Sequence, residues 1–311
     1  MADPRVSVVV CAHTERRFPT LIEAIASLRE QSVQPDEIVL VIDHDDRLLA
    51  RARDAFPDVR VVASSEPRGL SGARNTGARV ARGAILAFLD DDARADRDWL
   101  SELMSAYTDP TVIGAGGLVV PRWQGSVPSW LAPEFLWTVG CSYTGLPRNV
   151  APVRNPIGAN MSVRRDALRE VGGFTDGLGR VGSRPMGCEE TELFIRLAQA
   201  HPDGLVLHVP AARVDHLVPL ERGRWTYFRA RCWAEGLSKA LVAGRVGGRD
   251  ALASERAHVA RALRRGVARD LALALRGDVH AGRRAAASVA GLLLAAGGYA
   301  RGRLSVGATG S

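Results

Sequence analysis

The chain has 311 residues, 46% of them apolar and 24% charged, with a formal net charge of +7. That length can bury a sizeable core, and the balance of apolar to charged residues excludes wholesale disorder. Cys11, Cys141, Cys188 and Cys232 include no C-x-x-C pair, which argues against a zinc framework or a disulfide scaffold and fits a reducing, cytoplasmic setting.

Met1 to Val10 lacks the charged-then-apolar layout of an export signal, because a strand-like run begins at once. Val6 to Cys11 is apolar and β-branched, which predicts a strand buried on both faces. Leu21, Ile22, Ile25 and Leu28 then recur at helical spacing, Pro35 interrupts, and Ile38 to Ile42 predicts a second buried strand. A polar helix from Asp46 to Phe56, a strand from Val59 to Val62, a helix from Ser71 to Arg82 and a strand from Ile85 to Leu89 continue the alternation. Such alternation predicts crossover units: an α/β fold with a mostly parallel sheet and helices on both faces. Ligands of such sheets sit at the carboxyl ends of the strands, where His13, Thr14, Asp43 and Asp90 to Asp92 fall.

Pro121 to Pro156 carries three tryptophans and many prolines without clear periodicity, and a loop of that length reads as functional, with acceptor binding its expected role. Glu189 to Ala200 predicts a helix, and short strands are expected at Leu205 to Val209 and Arg213 to His216. Beyond Arg222 the chain reads as Ala/Arg-rich helix, with Gly244 to Gly248 the expected linker. Ala285 to Ala300 falls short of the ~20 residues needed to span a bilayer, so it reads as a packed or interfacial helix.

Asp90, Asp91 and Asp92 follow an apolar strand. Carboxylates so close repel and raise one another's pKa unless a cation is present. A hard divalent ion, Mg²⁺ or Mn²⁺, relieves that conflict and also bridges diphosphate oxygens. The competing reading is a solvated acidic turn that caps the next helix.

The order of five segments resembles the family 2 glycosyltransferases of GT-A-type, Rossmann-like fold, over about two thirds of the chain from Val6 to Pro219. These segments are Cys11-Ala12-His13-Thr14 after the first strand, the acid at Asp43, the run Gly69 to Gly77, the Asp90-Asp91-Asp92 triplet, and Gly187 to Leu193 with its paired glutamates. The resemblance implies a catalytic domain over residues 1–220 and an Arg/Ala-rich helical extension over 221–311. Within the catalytic domain it implies nucleotide-sugar binding by 1–120 and acceptor binding by 121–220.

It further implies that Ala12, His13, Thr14, Asp43, Arg74, Asn75, Asp90 and Asp91 lie at the nucleotide sugar, with Asp43 at the base, usually uracil. A carboxylate suits the imide N–H of uracil, since it only accepts. Asp92 and His216 are implied as metal ligands, and with three aspartates in a row the register stays open by one. Glu190 is implied as the base that deprotonates an acceptor hydroxyl; because the family's usual Asp is here Glu, Glu189 stays open as the alternative. The expected reaction is an inverting transfer from a nucleoside diphosphate sugar, with UDP the expected carrier, to a saccharide, lipid-linked or small-molecule acceptor.

Arg222 to Trp233 interleaves arginines with aromatics, as in helices that lie on anionic membrane surfaces. A helix buried by its aromatics, with arginines in water, explains the pattern equally well. The expected location is therefore cytoplasmic, or peripheral on the inner face of the membrane, with no nucleic-acid partner. Two rivals stand beside the transferase: a nucleotidyltransferase, disfavoured because Cys11 to Arg17 has no glycine-rich, lysine-containing loop, and an inactive nucleotide-binding protein.

Overall fold

A computed structural model describes residues 5–179 and 186–308; Met1 to Pro4, part of the stretch read for an export signal, lie outside the described residues. The chain divides into two compact units. One comprises residues 1–120, 147–184 and 189–216, and the other 121–146, 185–188 and 217–311.

In chain order the first unit carries β1 (Val6–Ala12), α1 (Phe18–Arg29), β2 (Glu37–Ile42), α2 (Asp46–Ala55), β3 (Arg60–Ala63), α3 (Leu70–Val80), β4 (Ile85–Asp90), β5 (Ala93–Ala95) and α4 (Trp99–Ser105). There follow β6 (Val112–Trp123), β7 (Ala151–Pro152), β8 (Asn160–Arg164), α5 (Arg165–Glu170), α6 (Glu189–Ala200) and β9 (Leu205–Val218). β6 and β9 each run a few residues into the second unit. The sheet order is β3-β2-β1-β4-β8-β6-β9-β5, with β7 paired to β9.

The four strands expected from the first ninety residues are present and parallel, β1 lying between β2 and β4. The apolar runs of β1, β2 and β4 are buried because helices cover the sheet, while β3 at its edge is only partly covered. β8 pairs antiparallel with β4 and β6, and β9 antiparallel with β5 and β7, so the parallel sheet is extended by a second half of which the apolar patterning revealed only β9. β6 escaped notice because Gly114, Gly116 and Gly117 dilute its apolar run. Each is needed for close approach: a Cβ at Gly114 would strike the Phe194 ring, and one at Gly117 the carbonyl of Ala212. The two short strands expected around Pro210 are one strand, β9, which runs through the proline.

The core packs Val9, Val39, Val41, Leu86 and Phe88 against Met161, Phe174, Phe194 and Leu197. α3 lies close on β1 and β2, because a Cβ at Gly77 would collide with the Val9 side chain.

In the second unit the irregular stretch contains a 3₁₀ helix, Pro133–Val139. The rest is helical: α7 (Trp225–Val246), α8 (Gly248–Ala251), α9 (Ala253–His258), a π-turn at Val259–Leu263, α10 (Arg264–Ala274) and α11 (Val279–Ala308). Its core joins Leu131, Phe135, Phe228, Cys232 and Leu263. α7 runs straight through Gly244, and the break falls at Gly247, whose φ of 92° suits glycine. No helix among the described residues is long and apolar enough to cross a membrane.

Candidate active site

Strand register builds the site. Cys11 of β1 stands opposite Asp90 of β4, and Ala12 opposite Ile42 of β2. Neighbouring strands lie about 4.8 Å apart, so the residues that follow three adjacent strands share one edge of the sheet. Ala12, buried at the end of β1, accepts a hydrogen bond at its carbonyl from the Asp43 amide at 2.8 Å.

Asp45, one of the acids beside Asp43, caps α2 by accepting from the Leu48 amide at 2.9 Å. Asp43 is thereby left to another task. It is buried, accepts the Gly69 amide at 3.0 Å and lies 2.8 Å from His44 Nδ1. Gly69, with φ of 134°, takes a backbone conformation that favours glycine and so brings the amino end of α3 onto this carboxylate.

α3 carries Arg74 inward, where it is 2% exposed. Its guanidinium donates to Glu189 Oε1 at 2.8 Å, to the Gly158 carbonyl at 3.0 Å and to Asp90 Oδ1 at 3.3 Å. Burial alone would lower the pKa of Arg74, but Glu189 and Asp90 together raise it, so the group is a fixed cation. Asn75, beside it, donates to the Phe174 carbonyl and accepts from the Phe174 amide, both at 2.8 Å. That reciprocal pair holds Phe174 onto α3.

The aspartate triplet splits by environment. Asp90 is half-exposed, while Asp91 and Asp92 are buried. Asp91 is pushed up to about 7, by burial first and by the charges of Asp92 and Asp90, with Arg17 pulling the other way. Arg17 lies 2.8 Å from Asp91 Oδ1 and 3.2 Å from Asp92 Oδ2. The crowding of these carboxylates is therefore relieved on one side by this arginine. Thr14 shapes the turn that presents it, its hydroxyl accepting from the Arg16 amide at 3.4 Å. His13, one residue earlier, is exposed.

His216, on β9, is brought in by β5, whose Ala93 stands opposite it. Its Nε2 lies 3.2 Å from Asp92 Oδ1. One ligand atom each from Asp90, Asp92 and His216 fall within 4.8 Å of one another. Donors ~2.1–2.3 Å from a common centre stand about 3–4.5 Å apart, so this oxygen-rich triangle fits a Mg²⁺ or Mn²⁺ ion.

At the start of α6, Glu189 is buried on Arg74 while Glu190 is half-buried. The third acid of that turn, Glu192, is taken up by Arg196, with Arg196 Nε 2.8 Å from its Oε1. Cys188, just before the pair, has φ of 72°, a left-handed conformation rare for a side-chain-bearing residue and found disproportionately at functional sites.

Of the residues expected from the sequence, the structure brings Arg74, Asp90, Asp91, Asp92, His216 and Glu189 together and seats Asp43 on the amino end of α3. Arg17, in the polar turn after β1, and the Gly158 carbonyl, in the turn before β8, were not among the expected residues.

A model of the family described as "Glycosyl transferase family 2" matches residues 7–172. A glucosyl-dolichyl phosphate glucuronosyltransferase of Haloferax volcanii is 34% identical over 242 residues, covering 76% of this chain and 77% of its own. The mouse polypeptide N-acetylgalactosaminyltransferase 12 is 35% identical over 262 residues, but the chain spans only 44% of its length. Among solved structures, the Pyrobaculum calidifontis mannosyltransferase PcManGT, in complex with GDP-Man and Mn²⁺, superposes with a TM-score of 0.60 at 21% identity, over 96% of this chain and 88% of that one. GalNAc-T7 with UDP, GalNAc and Mn²⁺ gives 0.54 at 20% identity, over 76% and 48%. These two likenesses show the fold. With more than half of the chain matched by the family model, and a relative a third identical over three quarters of both sequences, the chain belongs to glycosyl transferase family 2 and is a glycosyltransferase of GT-A-type fold.

Proposed function

We propose that this enzyme transfers a sugar from a nucleoside diphosphate, UDP being the favoured carrier, to an acceptor hydroxyl with inversion at the anomeric carbon. The observation that carries the proposal is the triangle of Asp90, Asp92 and His216 beside the Arg74–Glu189 pair at one sheet edge. Asp90, Asp92 and His216 would hold a divalent ion, which when bound offsets the negative charge of the diphosphate. Asp43 is assigned to the base and ribose region, with residues 12–14, Arg74, Asn75 and Asp91 around the nucleotide sugar.

Glu190 is assigned as the general base. Glu189 commits an oxygen to Arg74, whereas Glu190 is half-buried at the first turn of α6. In the transfer Glu190 takes the hydroxyl proton, the acceptor oxygen bonds to the anomeric carbon, and the bond from that carbon to the diphosphate breaks on the opposite face with its electron pair. Acceptor recognition is assigned to residues 121–156. Supporting this, Trp123 and the run from Gly125 to Trp130 line a cleft of ≈ 520 Å³ with Leu220 and Arg224. The acceptor is a saccharide or a lipid-linked glycan, the latter in keeping with the Haloferax relative's name. The enzyme works on the inner face of a membrane, held there through its C-terminal helices, in a compartment that keeps its four thiols reduced.

Thermal stabilisation by a panel of nucleoside diphosphate sugars with Mn²⁺, followed by NMR of the product's anomeric configuration, tests this reading. A retained configuration, or stabilisation by none of the panel, refutes it. Glu190→Gln should lower kcat about 10²-fold or more with donor stabilisation intact; a variant of near-normal kcat removes Glu190 from its role.

A further inference from the structure

Seven of the fifteen large apolar side chains exposed among the described residues belong to α10, α11 or the turn between them. Single exposed leucines are ordinary, but such a concentration marks an interaction surface. On α11, at 100° per residue, Val279, Ala286, Val289, Leu293, Ala300 and Leu304 fall within an arc of about 100°, and all are exposed. Val279 and Leu293 are each 66% exposed, Leu304 71%, and Leu275 at the turn 91%.

The helix has thus reversed the usual arrangement, and its small residues explain why. A Cβ at Gly298 would strike the Trp233 carbonyl, and one at Gly236 the Ala295 carbonyl, so α11 packs on α7 through glycine and alanine. Its large side chains are left on the outside.

The margins of the strip are cationic. Arg283 and Arg301 lie about 40° beyond one edge and Arg303 about 40° beyond the other, all exposed. Trp233, itself 40% exposed, packs beside Gly297 at the strip's border. From Arg256 onward ten arginines face two aspartates, a net +8 against +7 for the entire chain. One of the two, Asp270, is buried against Arg269 and Arg284.

We infer that the outer face of α10 and α11 docks on an anionic lipid surface, the leucines and valines entering the acyl boundary while the arginines meet lipid phosphates. A two-fold partner copy would instead set arginine margins against each other. The inference rests on the membrane attachment proposed above and names the face that makes it; α7, which the sequence pattern suggested, has Phe228 buried in the core.

The test is co-sedimentation of the full chain with vesicles of phosphatidylcholine alone and of phosphatidylcholine with phosphatidylglycerol. The chain should sediment with the anionic vesicles and be released by salt. Leu275→Asp with Leu293→Asp should weaken binding about tenfold or more, with circular dichroism and stabilisation by nucleoside diphosphate and Mn²⁺ unchanged. Arg283→Glu with Arg301→Glu, a second route should the first pair misfold, should abolish the preference for anionic vesicles. Absence of binding by the unmodified chain overturns attachment and face together. Equal binding by both double variants overturns the face alone, as does a light-scattering dimer that the aspartates split.

Discussion

Arg74 shows what a single buried side chain does here. Fully enclosed, it makes three hydrogen bonds to groups from three separate parts of the chain, Glu189, Asp90 and the Gly158 carbonyl. Removing it leaves Glu189 buried without its cation, so Arg74→Met should destabilise the fold by about 3–5 kcal/mol, read by urea unfolding. Arg74→Lys should recover only part of that, because one ammonium cannot reproduce the planar fork. Arg17 does the analogous work for Asp91 and Asp92. The aspartates were legible because acids at the end of an apolar strand stand out. Arg17 was not, since a lone arginine in a polar turn looks the same whether it faces solvent or folds back on a carboxylate.

Among the strands, the clearest in the sequence are those buried on both faces. β1, β2 and β4 are unbroken apolar runs, and the acids that end β4 and follow β2 stand out against them. β6 and β8 stayed hidden because their packing rests on glycine, asparagine and serine, whose role depends on partners remote in sequence. Asn160 is such a case: it accepts from Trp99 Nε1 and donates to the Ala212 carbonyl, both at 2.8 Å. The same close approach governs α3. Gly77→Val would push that helix off Val9, costing about 3 kcal/mol by denaturant unfolding and shifting the Gly69–Asp43 contact that the helix brings with it. A donor affinity that survived such a shift would show that Asp43 does not depend on α3.

For the molecule as a whole, the proposed divalent ion at the acid–histidine triangle predicts that activity is conditional on it. Treatment with a chelator should abolish turnover and the thermal stabilisation given by a nucleoside diphosphate sugar, with Mn²⁺ restoring both. An enzyme indifferent to chelation would remove Asp90, Asp92 and His216 from that role. The second unit, by contrast, was readable from sequence only as Ala/Arg-rich helix. Amphipathic spacing does not say whether an apolar strip faces a core or the outside, and only the glycine-to-backbone packing of α7 on α11 decides it.

The ladder between β5 and β9 has a further consequence. It sets Ala93 opposite His216, and so joins an acidic pair made early in synthesis to an imidazole made 124 residues after Asp92. During translation the aspartates leave the ribosome long before their third companion, and a chain interrupted in the loop ahead of β9 holds the carboxylates without the histidine. The completed acid–histidine triangle is thus a late product of biogenesis, withheld until nearly the whole sheet has been made.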